Sequence, residues 1–168
     1  MTLKLQFFFA FLSLFILVIS LSFAETKTIE GITRVIDGDT LKIEKSRIRL
    51  YGIDAPESKQ RCRDKKLNDW LCGQEATKAL RKKINYRVVQ CLSDQKDRYK
   101  RYIAICYVDG VNLNQWLVLN GWAVAYQKYS KAYINAEAIA RSQEVEIWSG
   151  EFILPWNCLL YTSDAADE

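Results

Sequence analysis

Short runs of alternating apolar and polar residues, set apart by turn residues, begin near position 28. Ile29, Ile32 and Val35 among polar neighbours predict a first strand over 28–36, and 41–44 and 47–53 follow as second and third, making a meander. Asp37-Gly38-Asp39 is a turn that cannot continue a strand, and Pro56 closes the extended run after Ile53. Over 73–85 the period changes: Ala76, Leu80 and Ile84 recur every four residues on one helical face, and the other face is basic. A fourth strand is predicted over 86–92, a charged loop over 93–101, and a fifth strand over 102–108 closed by Asp109-Gly110. A second helix over 113–119 is stopped by Asn120-Gly121 in the manner of a C-cap. The stretch 122–126 is extended and aromatic. A third helix over 132–145 places Ile134, Ala138, Val145 and Trp148 on a shared core face, with Gly150 as its stop.

Five strands with a helix after the third and helices after the fifth predict an α+β, mainly β, fold. The arrangement fits a five-stranded Greek-key barrel of the OB type with three helices better than a layered alternating fold.

The two ends are set apart from this pattern. Lys4, an almost wholly apolar run from Phe7 to Leu21, and small residues at Ser22 and Ala24 predict a secretory signal peptide over 1–24. The apolar run is only about long enough to cross a bilayer and has a ready cleavage site, which disfavours a retained anchor. What remains is about 144 residues, enough for one domain with a real core, predicted over 25–157. Residues 158–168 resemble a reading-frame translation of a transposase adapter used in preparing DNA sequencing libraries, which predicts a non-native tail. A native polar tail after Pro155-Trp156 is the competing reading.

Composition changes the picture in three ways. The chain carries 24 basic and 20 acidic residues; without Lys4, Asp164, Asp167 and Glu168 the balance is 23 to 17, a modest excess that tolerates polyanions without identifying one. Of five cysteines, Cys158 lies in the excluded tail. Cys62 and Cys72 bracket a polar loop, and Cys91 and Cys106 sit in two apolar runs joined by a polar turn, so the spacing predicts the disulfides Cys62–Cys72 and Cys91–Cys106. A four-cysteine zinc site needs closely spaced pairs that the chain lacks. Finally, there is no histidine, which removes imidazole as base, nucleophile or ligand and leaves any acid–base chemistry to carboxylates and a metal.

The strand-end carboxylates Asp39 and Asp54 supply hard oxygen donors suited to Ca2+ or Mg2+, with Glu57 close by and Asp37 and Arg49 in the same stretch. Singly, each is an ordinary turn or strand-end charge, and aspartate before glycine is favoured in turns for backbone reasons. Their joint spacing with Arg49 favours a metal site.

Ile36-Asp-Gly-Asp-Thr-Leu, Arg49-Leu-Tyr-Gly-Ile-Asp-Ala-Pro-Glu57, Asp97-Arg-Tyr-Lys-Arg-Tyr-Ile-Ala104 and Asn120-Gly-Trp-Ala-Val-Ala-Tyr126 together resemble the thermonuclease family, the staphylococcal-type nucleases. The resemblance runs in order from about Gly31 to Trp156. It implies an OB-fold barrel that hydrolyses phosphodiester bonds of DNA and RNA using Ca2+. Carried over by position, Asp39 and Asp54 bind calcium through side chains and Ala55 through its backbone carbonyl, and Asp37 holds a calcium-bound water. Glu57 positions or deprotonates the attacking water, and Arg49 and Arg101 grip the scissile phosphate. Arg98 and Tyr99 match positions that contact a terminal phosphate, and Tyr126 and Tyr129 provide an aromatic wall for a base. Lys100 departs from the family's glycine: if that turn needs positive φ, a lysine there costs energy. Trp116, Trp122, Trp148 and Trp156 are read as core, and the basic run Lys78, Arg81, Lys82 and Lys83 as a solvated helix face.

The resulting expectation is a secreted or periplasmic, calcium-dependent endonuclease of little sequence specificity, favouring single strands and leaving 3′-phosphate ends. It would be a monomer with no stable protein partner and no membrane contact after signal cleavage. Its rivals are an OB-fold nucleic-acid-binding module without catalysis and a domain that binds calcium only for stability.

Overall fold

The computed structural model describes residues 26–158. The expected signal peptide over 1–24 and, apart from Cys158, the expected tail over 158–168 lie outside the described residues.

In chain order the elements are β1 (Lys27–Val35), β2 (Thr40–Ile43), β3 (Ser46–Leu50), β4 (Ile53–Asp54), β5 (Cys62–Arg63), β6 (Asp69–Trp70), α1 (Cys72–Ile84), β7 (Val88–Lys96), β8 (Tyr102–Val108), β9 (Val111–Asn112), α2 (Leu113–Leu119), β10 (Val124–Ala125) and α3 (Ile134–Ser142). A 3-10 helix over Glu146–Ser149 and a helical turn at 155–158 complete the described chain. β1, β2 and β3 form the expected meander, and the other edge of β1 pairs antiparallel with β7, which pairs with β8. β3 and β8 then pair in parallel, Ile48 with Tyr102 and Leu50 with Ala104, and this closes the five strands into a barrel. Alternation puts Leu41, Ile43, Ile48, Leu50, Val89, Ala104 and Val108 inside, each essentially removed from water. Burial of each larger side chain stabilises by roughly 1.5–3 kcal/mol.

The helices complete this core. α1 buries Ala76, Leu80 and Ile84, as its four-residue period predicts, and ends with Asn85 in the left-handed region. α2 buries Leu113, Leu117 and Val118, and its Asn114 is fully buried but satisfied. Asn114 Oδ1 accepts from the Cys106 amide at 3.1 Å, and its Nδ2 donates to the Tyr51 and Ala104 carbonyls at 2.9 and 3.2 Å. That amide welds α2 to the place where the parallel β3–β8 ladder ends.

Four sequence expectations are corrected. The strand expected over 47–53 is broken at Tyr51 and Gly52, so that β4 leaves the barrel and pairs Asp54 with Val124 of β10. The charged loop expected over 93–101 is strand as far as Lys96, with a register shift between Ser93 and Gln95. Ser93 is buried with its hydroxyl 2.9 Å from the Gln95 and Ile103 carbonyl oxygens, so a polar residue faces inward where hydrophobic patterning sees a loop. The polar loop between Cys62 and Cys72 contains the β5–β6 hairpin. Lastly, α3 is shorter than 132–145 and rotated: Ala136, Glu137 and Ala140 are buried, Ala138 is exposed and Val145 lies past the helix. Glu137 faces inward because its Oε1 accepts the Ala125 amide at 3.0 Å and its Oε2 pairs with Arg141 at 3.2 Å.

Both expected disulfides are present. Cys91 and Cys106 are directly opposed on β7 and β8 and fully buried. Cys62 and Cys72 join Val124 and Ile147 in a second apolar cluster, against which Trp148 and Trp156 pack. The β7–β8 turn has Lys100 at φ +64°, the left-handed conformation that glycine adopts without steric cost.

Two outcomes follow from this packing. Lys100→Gly removes a left-handed penalty of about 1–2 kcal/mol and adds about 0.5–1 kcal/mol of backbone entropy. It should therefore raise the melting temperature by roughly 2–4 °C, and an unchanged or lower melting temperature would contradict the assigned turn. Replacing Cys91 and Cys106 together by alanine opens a loop with a sequence separation of 15 and should cost about 3 kcal/mol in urea unfolding. A midpoint unaffected by that double change would show that the bridge does not constrain the chain.

Candidate active site

The Asp37-Gly38-Asp39 turn sits where β1 hands over to β2, and it is packed hard against the end of β4. A Cβ at Gly38 would lie 2.6 Å from the Ala55 Cβ, so no side chain fits between the turn and Ala55. The close approach brings Asp39 to the Ala55 amide, which donates to Asp39 Oδ2 at 2.9 Å. Asp37 Oδ1 accepts from the Asp39 amide at 3.1 Å, the usual aspartate-turn geometry. Thr40 Oγ1 donates to Asp39 Oδ1 at 3.2 Å, and the Leu50 amide donates to the Asp39 carbonyl at 2.9 Å.

Asp39 and Asp54 are 2% and 6% exposed, and one guanidinium serves both. Arg49 of β3 donates through Nη1 to Asp39 Oδ1 and through Nη2 to Asp54 Oδ1. Burial pushes the Asp39 carboxyl up to about 8 despite the pull of Arg49, with Asp37 and Asp54 adding to the rise. Burial likewise raises Asp54 against Arg49. Burial alone would lower the Arg49 pKa, but Asp39 and Asp54 outweigh it and hold the guanidinium charged. A single cation among two buried carboxylates and the nearby Asp37 leaves the cluster short of positive charge. Two buried carboxylates are hard oxygen donors, and with that charge deficit they fit a divalent cation such as Ca2+. Among the described residues no three or more His, Cys, Asp or Glu side chains are grouped to hold a metal ion, so such a cation would also need carbonyl and water ligands.

Glu57 follows Pro56 and is half-buried. Its amide donates to Gln60 Oε1 at 3.1 Å, and its carbonyl accepts from the Gln60 amide at 2.7 Å. Gln60 Nε2 in turn donates to the Ile153 carbonyl at 2.7 Å. α1 begins against the same peptide, since a Cβ at Gly73 would be 1.8 Å from the Glu57 carbonyl oxygen. Burial, then the charges of Asp54 and Asp37, raise the Glu57 carboxyl, and Arg49 partly offsets them. A carboxylate raised in this way is a better proton acceptor than a free one.

Arg101 immediately precedes β8, whose Tyr102 is in register with Ile48, so the parallel pair puts the two arginine-bearing segments side by side. Asp97 holds Arg101: Oδ1 accepts the Tyr99 and Arg101 amides at 2.9 Å each, and Oδ2 accepts Arg101 Nε at 2.7 Å. The Lys100 substitution thus coexists with an ordered loop. Tyr99 is exposed, with the Arg98 and Arg101 guanidiniums 4.8 and 5.4 Å from its ring centre. Tyr126 is not an open wall. Its ring stacks on Trp156 at 4.9 Å and 7°, and meets Tyr129 edge-on at 4.9 Å, while Tyr129 itself is 58% exposed.

The structure therefore gathers Asp37, Asp39, Asp54, Arg49 and Glu57 into one electrostatic cluster and sets Arg98, Tyr99 and Arg101 on a separate turn beside it. Sequence reasoning missed two residues that position the others, Asp97 and Gln60. Asp97 was detectable as an aspartate two and four residues before the amides it accepts. Gln60 pairs locally with Glu57, but its anchor at Ile153 is remote in sequence and left no local signal.

The family model described as Staphylococcal nuclease homologue matches residues 47–150, which include Arg49, Asp54, Glu57 and Arg101; Asp37 and Asp39 lie just before the matched segment. Succinoglycan biosynthesis protein ExoI of Rhizobium meliloti is 36% identical over 124 residues, 72% of this chain, and the chain covers 65% of that relative's length. An uncharacterized endonuclease of Escherichia coli O157:H7 is 34% identical over 133 residues, covering 74% of this chain and 80% of its own. One from Haemophilus influenzae is 33% identical over 125 residues, covering 70% and 65%. With the family model matched over more than half of its length, on a closed barrel that carries these carboxylates and arginines, the chain belongs to the staphylococcal nuclease homologue family.

Proposed function

We propose that the protein is a calcium-dependent endonuclease of an oxidising, extracytoplasmic compartment. It hydrolyses DNA and RNA with little sequence preference and leaves 3′-phosphate ends. The observation that carries this reading is the buried Asp39–Arg49–Asp54 bridge with half-buried Glu57 beside it. Endonuclease-named relatives support the reaction class. Two disulfides suit an oxidising compartment, and no described helix is long and apolar enough to cross a membrane.

Asp39, Asp54 and the Ala55 carbonyl would hold Ca2+, with Asp37 supporting the site from outside; the ion would supply Lewis-acid charge for the phosphoryl group. Glu57 takes the proton of the attacking water, and its backbone anchors to Gln60 and α1 keep its carboxylate placed for that transfer. Each guanidinium has donors to spare for phosphate. Arg49 gives one N–H each from Nη1 and Nη2 to the carboxylates, and Arg101 gives only Nε to Asp97. An arginine carries five N–H donors, so both can keep these bonds and still meet charge that develops on the phosphoryl oxygens. Little base selectivity follows, because phosphate contacts carry no sequence information and aromatic stacking accepts any base.

Purified protein should cut single-stranded DNA in calcium, stop in excess chelator, and yield fragments with 3′-phosphate ends. Failure to cut under any divalent cation, with DNA binding intact, would leave the binding-module reading. Glu57→Gln should lower kcat by roughly a hundred- to ten-thousand-fold while calcium and DNA affinities change less than about threefold. Equal rates for wild type and Glu57→Gln would remove the base assignment. Asp39→Ala should weaken calcium binding, read by calorimetry, by about tenfold or more.

A further inference from the structure

The basic face of α1 does not simply face solvent. Arg81 Nη2 donates to the Val35 carbonyl at 3.3 Å and pins the helix to the end of β1. Between them opens a cleft of about 640 Å3, lined by Arg34, Arg81, Lys82 and Tyr86 together with Ile36 and Asn85, and no acidic side chain lines it. Tyr86 combines exposure with a strained backbone. It is 88% exposed, and it has φ +59° directly after Asn85 at +45°. A bulky residue in the left-handed region costs about 1–2 kcal/mol, and this ring recovers none of that by burial. Leu67 also combines exposure with positive φ, so the feature gains weight at Tyr86 from its place in a basic cleft. Two residues on, Val88 is exposed and directly paired across the sheet with Ile32, also exposed.

We propose that this cleft is a second nucleic-acid subsite, taking the single-stranded chain beyond the cleavage centre. Arg34, Arg81 and Lys82 meet its phosphates, and Tyr86 stacks a base. A basic groove interleaved with an exposed aromatic matches an alternating phosphate and base lattice. Ile36, which lines the cleft, is three residues from Asp39, a span of at most about 11 Å. Barrels of this class occupy roughly 4–16 nucleotides, so one strand reaches both. The inference rests on the nucleic-acid reading of the active site but not on catalysis.

The test compares the full mature protein with the triple variant Arg34→Gln, Lys82→Gln, Tyr86→Asn, asparagine being chosen because it tolerates positive φ. Anisotropy of a labelled 20-nucleotide oligothymidylate and of a tetranucleotide is measured in chelator across a salt series. The 20-mer should bind the variant at least tenfold more weakly, and the tetranucleotide less than threefold. The slope of log affinity against log salt for the 20-mer should flatten by about 1.4, two phosphate contacts at about 0.7 each. An unchanged melting temperature shows the variant is folded. Equal losses for both oligomers, no loss for either, or no wild-type affinity for the 20-mer overturns the subsite. If wild type cleaves but the variant binds the 20-mer unchanged, the subsite falls and the nuclease reading stands; a selective loss of 20-mer affinity in a protein that cleaves nothing supports the subsite while the catalytic reading fails.

Discussion

The parallel pairing of β3 with β8 is the constraint on which the rest of the structure depends. The other four strand contacts of the barrel are antiparallel and follow from alternation and short turns. The fifth joins strands separated in sequence by the hairpin, α1 and β7, and only its formation turns a curved sheet into a closed barrel. It also aligns Arg49 with Ile103 and delivers Arg101 at the mouth of the same strand pair. The buried Asn114 secures the end of that ladder: its side-chain amide takes up the Tyr51 carbonyl and adds a second donor to the Ala104 carbonyl, which already accepts the Tyr51 amide.

Around this frame the carboxylate cluster is an electrostatic liability that the fold supports. Asp39 and Asp54 are stripped of water, and Arg49 compensates only part of the desolvation, which is why both carboxyls are raised rather than depressed. Backbone donors from Ala55 and the hydroxyl of Thr40 take up part of the deficit at Asp39. A tightly filled barrel and two disulfides offset a cluster that does not stabilise itself.

Segments far apart in sequence meet at the same place. Glu57 is located through its backbone by Gln60 and by the start of α1, and Gln60 is tied to Ile153 near the far end of the described chain. Trp156 covers one face of Tyr126, which follows the β10 segment paired with Asp54. The C-terminal segment therefore packs on Gln60 and Tyr126, and Trp148 and Trp156 pack against a cluster of Cys62, Cys72, Val124 and Ile147, apart from the barrel interior.

By itself the sequence determined the meander, the registers of α1 and α2, the cysteine pairing and the residue types of the site. Those depend on short-range periodicity, turn chemistry and spacing, which are written locally. It misplaced what tertiary contacts override. Ser93 and Glu137 are polar residues buried because distant carbonyl and amide groups satisfy them, so hydrophobic patterning put a loop at one and the wrong helix face at the other. The break at Tyr51 and Gly52 exists because β4 has to leave the barrel for β10. Only the tertiary structure could decide that Arg49 bridges Asp39 and Asp54, that Asp97 holds Arg101, and that Tyr86 stands over a basic cleft. Each of these is a distance between side chains, fixed by how the barrel closes and how α1 lies against it.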